Sequence, residues 1–152
     1  MDHEMDTTLY LDTVCALLDE GKRDIPIPVS GTSMTPFLSP GDTVYVSRTP
    51  LFRRGDIVLF RRPDGRYVLH RLLSADEERC LLRGDAQSTP ESVPAACLRA
   101  RVEAVRRRGR LYTARSPRWR FYAGPWQALT PLRPWIMAVY RKITDEKKET
   151  DE

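Results

Sequence analysis

Four tight turns of the same chemistry cut the middle of this chain into pieces too short for ordinary helices. Pro40-Gly41-Asp42, Arg54-Gly55-Asp56, Pro63-Asp64-Gly65 and Arg83-Gly84-Asp85 each pair a glycine, free to take positive φ, with an aspartate that can bond its own turn. Between and beyond them run β-branched and aliphatic residues at 25–30, 43–47, 56–61, 67–74, 80–83, 100–106 and 110–114. Many short strands at roughly ten-residue spacing predict a mainly β domain over 25–114, a coiled sheet or open barrel.

The flanks read differently. Leu9, Leu11, Val14, Leu17 and Leu18 recur at mostly helical spacing and Gly21 stands where a C-cap belongs, so 1–24 is read as an amphipathic helix packed on the domain. Its polar face carries Asp12, Asp19 and Glu20, the wrong sign for a membrane-surface helix. Segment 115–144 interleaves Trp119, Phe121, Tyr122, Trp126, Trp135 and Tyr140 with arginines, and Pro117, Pro125, Pro131 and Pro134 divide it into short helical or irregular pieces. A charged flexible tail follows at 145–152. The aromatic and basic mixture at 115–142 suits a strap over the β domain or a protein contact, the preferred readings, and also a peripheral membrane contact.

Bulk properties set the class. A chain of 152 residues, 41% hydrophobic and 30% charged, builds one globular domain with a real core. Its net charge of +4 permits anionic partners without demanding one, and no nucleic-acid partner is expected. Cys15, Cys80 and Cys97 are widely spaced, with no paired histidines, which fits buried thiols in a reducing compartment and no metal or other cofactor. No segment approaches the roughly 18 apolar residues of a membrane span, and the acidic start (Asp2, Glu4, Asp6) is not laid out as a secretion signal. The expected location is the cytoplasm.

The chemistry lies in an ordered series: Ser33-Met34-Thr35-Pro36-Phe37-Leu38, then Gly41-Asp42, Gly55-Asp56, Val68-Leu69-His70-Arg71 and Gly84-Asp85. Over about residues 25–105 this resembles the S24/S26 peptidase clan, which includes signal peptidase I and the self-cleaving LexA-type proteins. The resemblance implies their coiled β fold, with Ser33 as nucleophile and the base just before an arginine on a later strand. That base is usually lysine in the clan and histidine in some signal peptidases. Here no lysine occurs between Lys22 and Lys142, and of the two histidines only His70 stands at the position of the base. With an unperturbed pKa near 6.5, a histidine can take the serine proton at neutral pH and return it to a leaving amine.

The same resemblance implies further roles. Asp85 is the expected carboxylate behind the histidine, with Glu91 as an alternative acidic support. The Ser33 amide is the expected oxyanion donor, with Ser30 or Thr32 as the side-chain donor and Met34 also in the oxyanion and substrate-binding region; such a donor is worth about 3–4 kcal/mol in the barrier. Asp42 and Asp56 are read as structural turn residues. The implied activity is that of a serine endopeptidase that takes an extended peptide as an added strand and cleaves after small residues, as signal peptidases do. Two alternatives stand: a catalytically weak or inactive peptide-binding module on the same fold, and a LexA-like protein that cleaves itself, for which Ala95-Ala96 and Ala104 offer small-residue sites. The roughly 24 residues ahead of the β region are too few for the helix-turn-helix that precedes LexA-type protease domains.

Overall fold

The computed structural model describes residues 2–151, with side chains described for 7–147. Helix α1 (Asp2–Asp19) leads into β1 (Ile25–Pro28), β2 (Thr43–Ser47), β3 (Ile57–Arg61), β4 (Tyr67–Ala75), β5 (Arg79–Arg83), β6 (Glu91–Pro94), β7 (Leu98–Arg107) and β8 (Arg110–Thr113). Three helices follow: α2 (Pro117–Ala123), α3 (Pro125–Ala128) and α4 (Arg133–Asp151). The strands form one antiparallel eight-stranded sheet in the order β1-β2-β7-β3-β4-β5-β6, with β8 also on β7. This is the mainly β architecture expected, with its N-terminal helix and helical C-terminal tail.

Strand β7 is the spine. One edge pairs with β2; the other pairs with β3 through Leu98–Arg101 and with β8 through Ala104–Arg107. Register shifts at Tyr45/Val46, Leu59/Phe60 and Leu72/Ser74 add residues to one strand of a pair, which bends and coils the sheet. Strand β3 is buried on both faces, and its alternation divides two cores. Ile57 and Leu59 join the larger one with Val44, Val46, Val102, Val105 and the α1 residues Leu11, Val14 and Leu18. Val58 and Phe60 join Leu72, Cys80, Leu82 and Val93 in the smaller.

One strand departs from the sequence reading. Strand β6 was not anticipated, because Glu-Ser-Val-Pro offers a single buried aliphatic, Val93, and is a strand only by pairing with β5. The C-terminal prolines divide their segment into short pieces as expected, and each break is a helix start: Pro117 and Pro125 open α2 and α3, and Pro134 lies in the first turn of α4. A first-turn proline lacks only an N–H that the helix would leave unpaired anyway. Helix α4 runs on through Asp145 to Asp151. No described helix is long and apolar enough to cross a membrane.

Candidate active site

The serine sits on a short turn hung from the first strand. Val29 extends the β1–β2 pairing, its N–H donating to the Asp42 carbonyl at 2.8 Å. Gly31, at φ +77°, then reverses the chain in a conformation that other residues rarely adopt. Past it the Thr35 N–H and hydroxyl both donate to the Thr32 carbonyl, and Met34, Phe37 and Leu38 are driven into the larger core. The burial on either side fixes the turn and leaves Ser33 half-buried at its crest.

The turn rests on the loop after β5. The Ala86 N–H donates to the Ser33 carbonyl at 3.0 Å, and the Asp85 N–H points at the Met34 sulfur at 3.4 Å. Gly84 lies so close that a Cβ there would stand 2.3 Å from the Ser33 carbonyl oxygen. Only a residue without a side chain lets these two backbones meet.

His70 lies on β4 opposite Val58, buried against the Phe60 ring. Its Nδ1 is 3.2 Å from Glu91 Oε1, although the pair lacks hydrogen-bond alignment. Glu91 is engaged elsewhere: Arg62 grips both its oxygens, at 3.0 and 2.7 Å, and this hydrogen bonding holds the Glu91 carboxyl below its usual range. Burial pushes the His70 pKa down to about 4; Glu91 opposes that shift and the Arg62 charge reinforces it. The imidazole is therefore neutral across the physiological range. With Nδ1 turned toward Glu91, Nε2 is the nitrogen left for a substrate or a hydroxyl.

Asp85, expected behind the histidine, has its carboxylate turned to Arg71 instead. Both side chains are fully buried, and Arg71 Nε and Nη2 donate to the two carboxylate oxygens at 2.9 and 2.8 Å. Arg71 Nη1 adds a bond to the Gly55 carbonyl, and its guanidinium lies over the Phe37 ring. The physical reason is alternation: His70 and Arg71 are neighbours on one strand and point to opposite faces. The arginine takes the carboxylate on its own face, and the carboxylate nearest the His70 ring is Glu91.

The C-terminal helices close this region from behind. Trp126 Nε1 donates to the Asp85 carbonyl at 2.8 Å, Gln127 Nε2 to Asp85 Oδ1 at 3.2 Å, and Arg133 Nη1 to the Gln87 carbonyl at 2.7 Å. Arg133 is fully buried; burial lowers its pKa to about 10, which leaves it cationic at neutral pH. The segment is thus a strap, and it grips the loop that carries the serine turn. Its composition suggested a strap, but its target could not be read from the sequence.

Ser30, Ser33, Met34 and His70 all line one cleft of about 870 Å³, whose walls include Ile27, Val29, Leu38, Leu59 and Leu69. Thr32 is exposed and is not among the lining residues. Asp42 and Asp56 cap their own turns, accepting from the Ser39 and Arg53 N–H groups, as their Gly-Asp setting suggested. Sequence reasoning missed Arg62, Gln87 and the cradle role of Gly84. The arginines are too many for one to stand out, and the closeness of Gly84 to Ser33 exists only in three dimensions.

Among curated proteins none matches the chain. A family model described as Peptidase S24-like matches residues 2–104, which span α1, the serine turn, the histidine strand, the Gly84 cradle and Glu91, and end short of the strap. On that match, over more than half its length, the chain belongs to the S24-like peptidase family.

Proposed function

We propose that this chain is a serine endopeptidase in which Ser33 attacks the scissile carbonyl, His70 takes the hydroxyl proton, and Glu91 steadies the imidazolium. The proton then passes to the leaving amine and a water hydrolyses the acyl-enzyme. One observation carries the reading: Ser33 and His70 line the same cleft, with a carboxylate 3.2 Å behind the imidazole. The Ser33 amide is the proposed oxyanion donor, with Ser30 the side-chain candidate because it lines the cleft.

The substrate would lie extended along β1, an edge of the sheet. Val29 directs both its N–H and its carbonyl to the β2 side, so Pro28 and Ser30 direct theirs outward. Pro26 and Pro28 have no N–H, and the Pro26 carbonyl already accepts from the Tyr10 hydroxyl. Strand addition is therefore confined to the Pro28 carbonyl and the Ser30 backbone, just before the nucleophile. Prolines on an exposed edge also discourage pairing with another chain. Cleavage after small residues, and a leader segment as substrate, are proposed from the signal-peptidase resemblance. Self-cleavage at Ala104 is disfavoured, because that residue is paired with Tyr45 on one side and Thr113 on the other.

The test is labelling with a fluorophosphonate, read by mass spectrometry across pH, for the parent, Ser33→Ala and His70→Ala. Modification at Ser33 that requires His70 and rises through a pKa near 4 to a plateau at neutral pH is expected. Arg62→Gln removes a charge that depresses the His70 pKa and frees Glu91 to face the ring. The acid limb should then move to higher pH, toward the ordinary histidine value; an unmoved limb would separate Arg62 and Glu91 from the base. A second reading rests on the misaligned His70 Nδ1 and the commitment of Glu91 to Arg62: a peptide-binding module with little turnover. Peptide binding that survives both Ser33→Ala and His70→Ala, with no labelling of the parent, would select it.

A further inference from the structure

We propose that the C-terminal segment docks this protein on an anionic lipid surface, with Trp135, Val139 and Ile143 of α4 as the inserting stripe. From Ala104 to Thr144 the chain carries ten arginines and lysines and no aspartate or glutamate; the end at 145–152 adds two lysines and five acids, so 104–152 is net +7 in a chain whose total is only +4. The remainder is net acidic, so the positive charge is concentrated in the part that lies beyond the family match. Arg108, Arg110, Arg115, Arg120 and Arg141 are exposed there.

The apolar residues are displayed along with the charge. Helix α4 buries Arg133 and Met137 and half-buries Ile136, Tyr140 and Thr144, one face of the helix. Trp135, Val139 and Ile143, each four residues after the last, form another stripe at 71%, 43% and 50% exposure, and Leu132 just before the helix is 56% exposed. Phe121 of α2 is exposed as well and shares with Ile136 and Tyr140 a cleft of about 690 Å³. An exposed apolar stripe on a helix that already has its own buried face is left without a partner in the fold.

Charge and chemistry select the occupant. A nucleic-acid backbone would satisfy the arginines but leave the Trp-Val-Ile stripe in water. A second copy would bring two strongly basic segments together. An anionic bilayer satisfies both features, with the indole and aliphatic groups at headgroup depth and the cations among the lipid phosphates. The strap's inner side holds the loop behind Ser33 and its outer side would hold the membrane, which would set the cleft at a lipid surface. The lipid surface stands or falls independently of the proposed peptidase chemistry.

The test is co-sedimentation of the full chain with unilamellar vesicles of phosphatidylcholine alone, or with about one-third phosphatidylglycerol. Binding to the anionic vesicles only, weakened by salt, is expected. Trp119 and Trp126 are buried, so a blue shift of fluorescence on binding should come from Trp135. Trp135→Glu should lower partition about tenfold or more, while Trp135→Phe keeps binding and loses the spectral shift. Because Trp135 is largely exposed, Trp135→Glu should still unfold at the parent's temperature. Failure of the parent to partition, or equal partition of Trp135→Glu, would overturn the proposal. So would binding of a single-stranded RNA without vesicle binding, or self-association that Trp135→Glu abolishes in the absence of lipid.

Discussion

Replacing Gly84 with alanine should slow phosphonate labelling of Ser33 by about a hundredfold or more while the protein stays folded. The new Cβ would stand 2.3 Å from the Ser33 carbonyl oxygen and 3.1 Å from its carbonyl carbon, and neither backbone atom can rotate aside. The third close atom, Gln87 Oε1 at 3.0 Å, ends a flexible side chain and can move. What gives way is therefore the serine turn, and with it the Ala86 N–H to Ser33 carbonyl bond. A displacement near 1 Å of a reacting group lowers rates by about that factor, whereas overpacking of this kind costs about 1–3 kcal/mol of stability. Gly84 is not among the glycines at positive φ, so backbone strain is not the cause and Gly84→Ser should behave alike. The check pairs labelling rate with thermal unfolding. A folded Gly84→Ala protein that labels within a few-fold of the parent would show that this contact does not position the nucleophile.

The strands were legible because Gly-Asp and Pro-Gly turns punctuate aliphatic runs of strand length, and His70 stood out because the chain has no lysine between Lys22 and Lys142. The carboxylate nearest the histidine was not legible in the same way. Asp85 and Glu91 both follow the histidine strand, and what separates them is the direction each carboxylate faces, set by the pleat of β4 and the reach of Arg71. Strand β6, which carries Glu91, is itself a strand by virtue of its neighbour, so nothing local announced the residue nearest the ring. The strap was recognisable by composition, but its grip on residues 85–87 arises from tertiary packing of Trp126, Gln127 and Arg133.

Replacing Asp85 with alanine should destabilise the fold by about 3–5 kcal/mol, the range for breaking a buried ion pair by removing one partner. Arg71 would keep its bond to the Gly55 carbonyl but lose both carboxylate contacts at a position with no solvent exposure. Gln127 would lose one acceptor as well, loosening the strap at the same point. Against a typical total stability of about 5–15 kcal/mol, such a loss leaves a substantial unfolded fraction under mild denaturant. Replacing both partners, Asp85→Leu with Arg71→Met, removes the stranded charge along with its counterion and should recover much of the loss. Glu91→Gln should behave oppositely to Asp85→Ala. It removes the largest influence holding the His70 pKa up, so the acid limb of Ser33 labelling should move to lower pH with little change in stability. Urea unfolding and the pH dependence of labelling, measured on the same three variants, separate the two carboxylates. An Asp85→Ala protein as stable as its parent but unreactive at Ser33 would return Asp85 to the position behind the base and displace Glu91 from it.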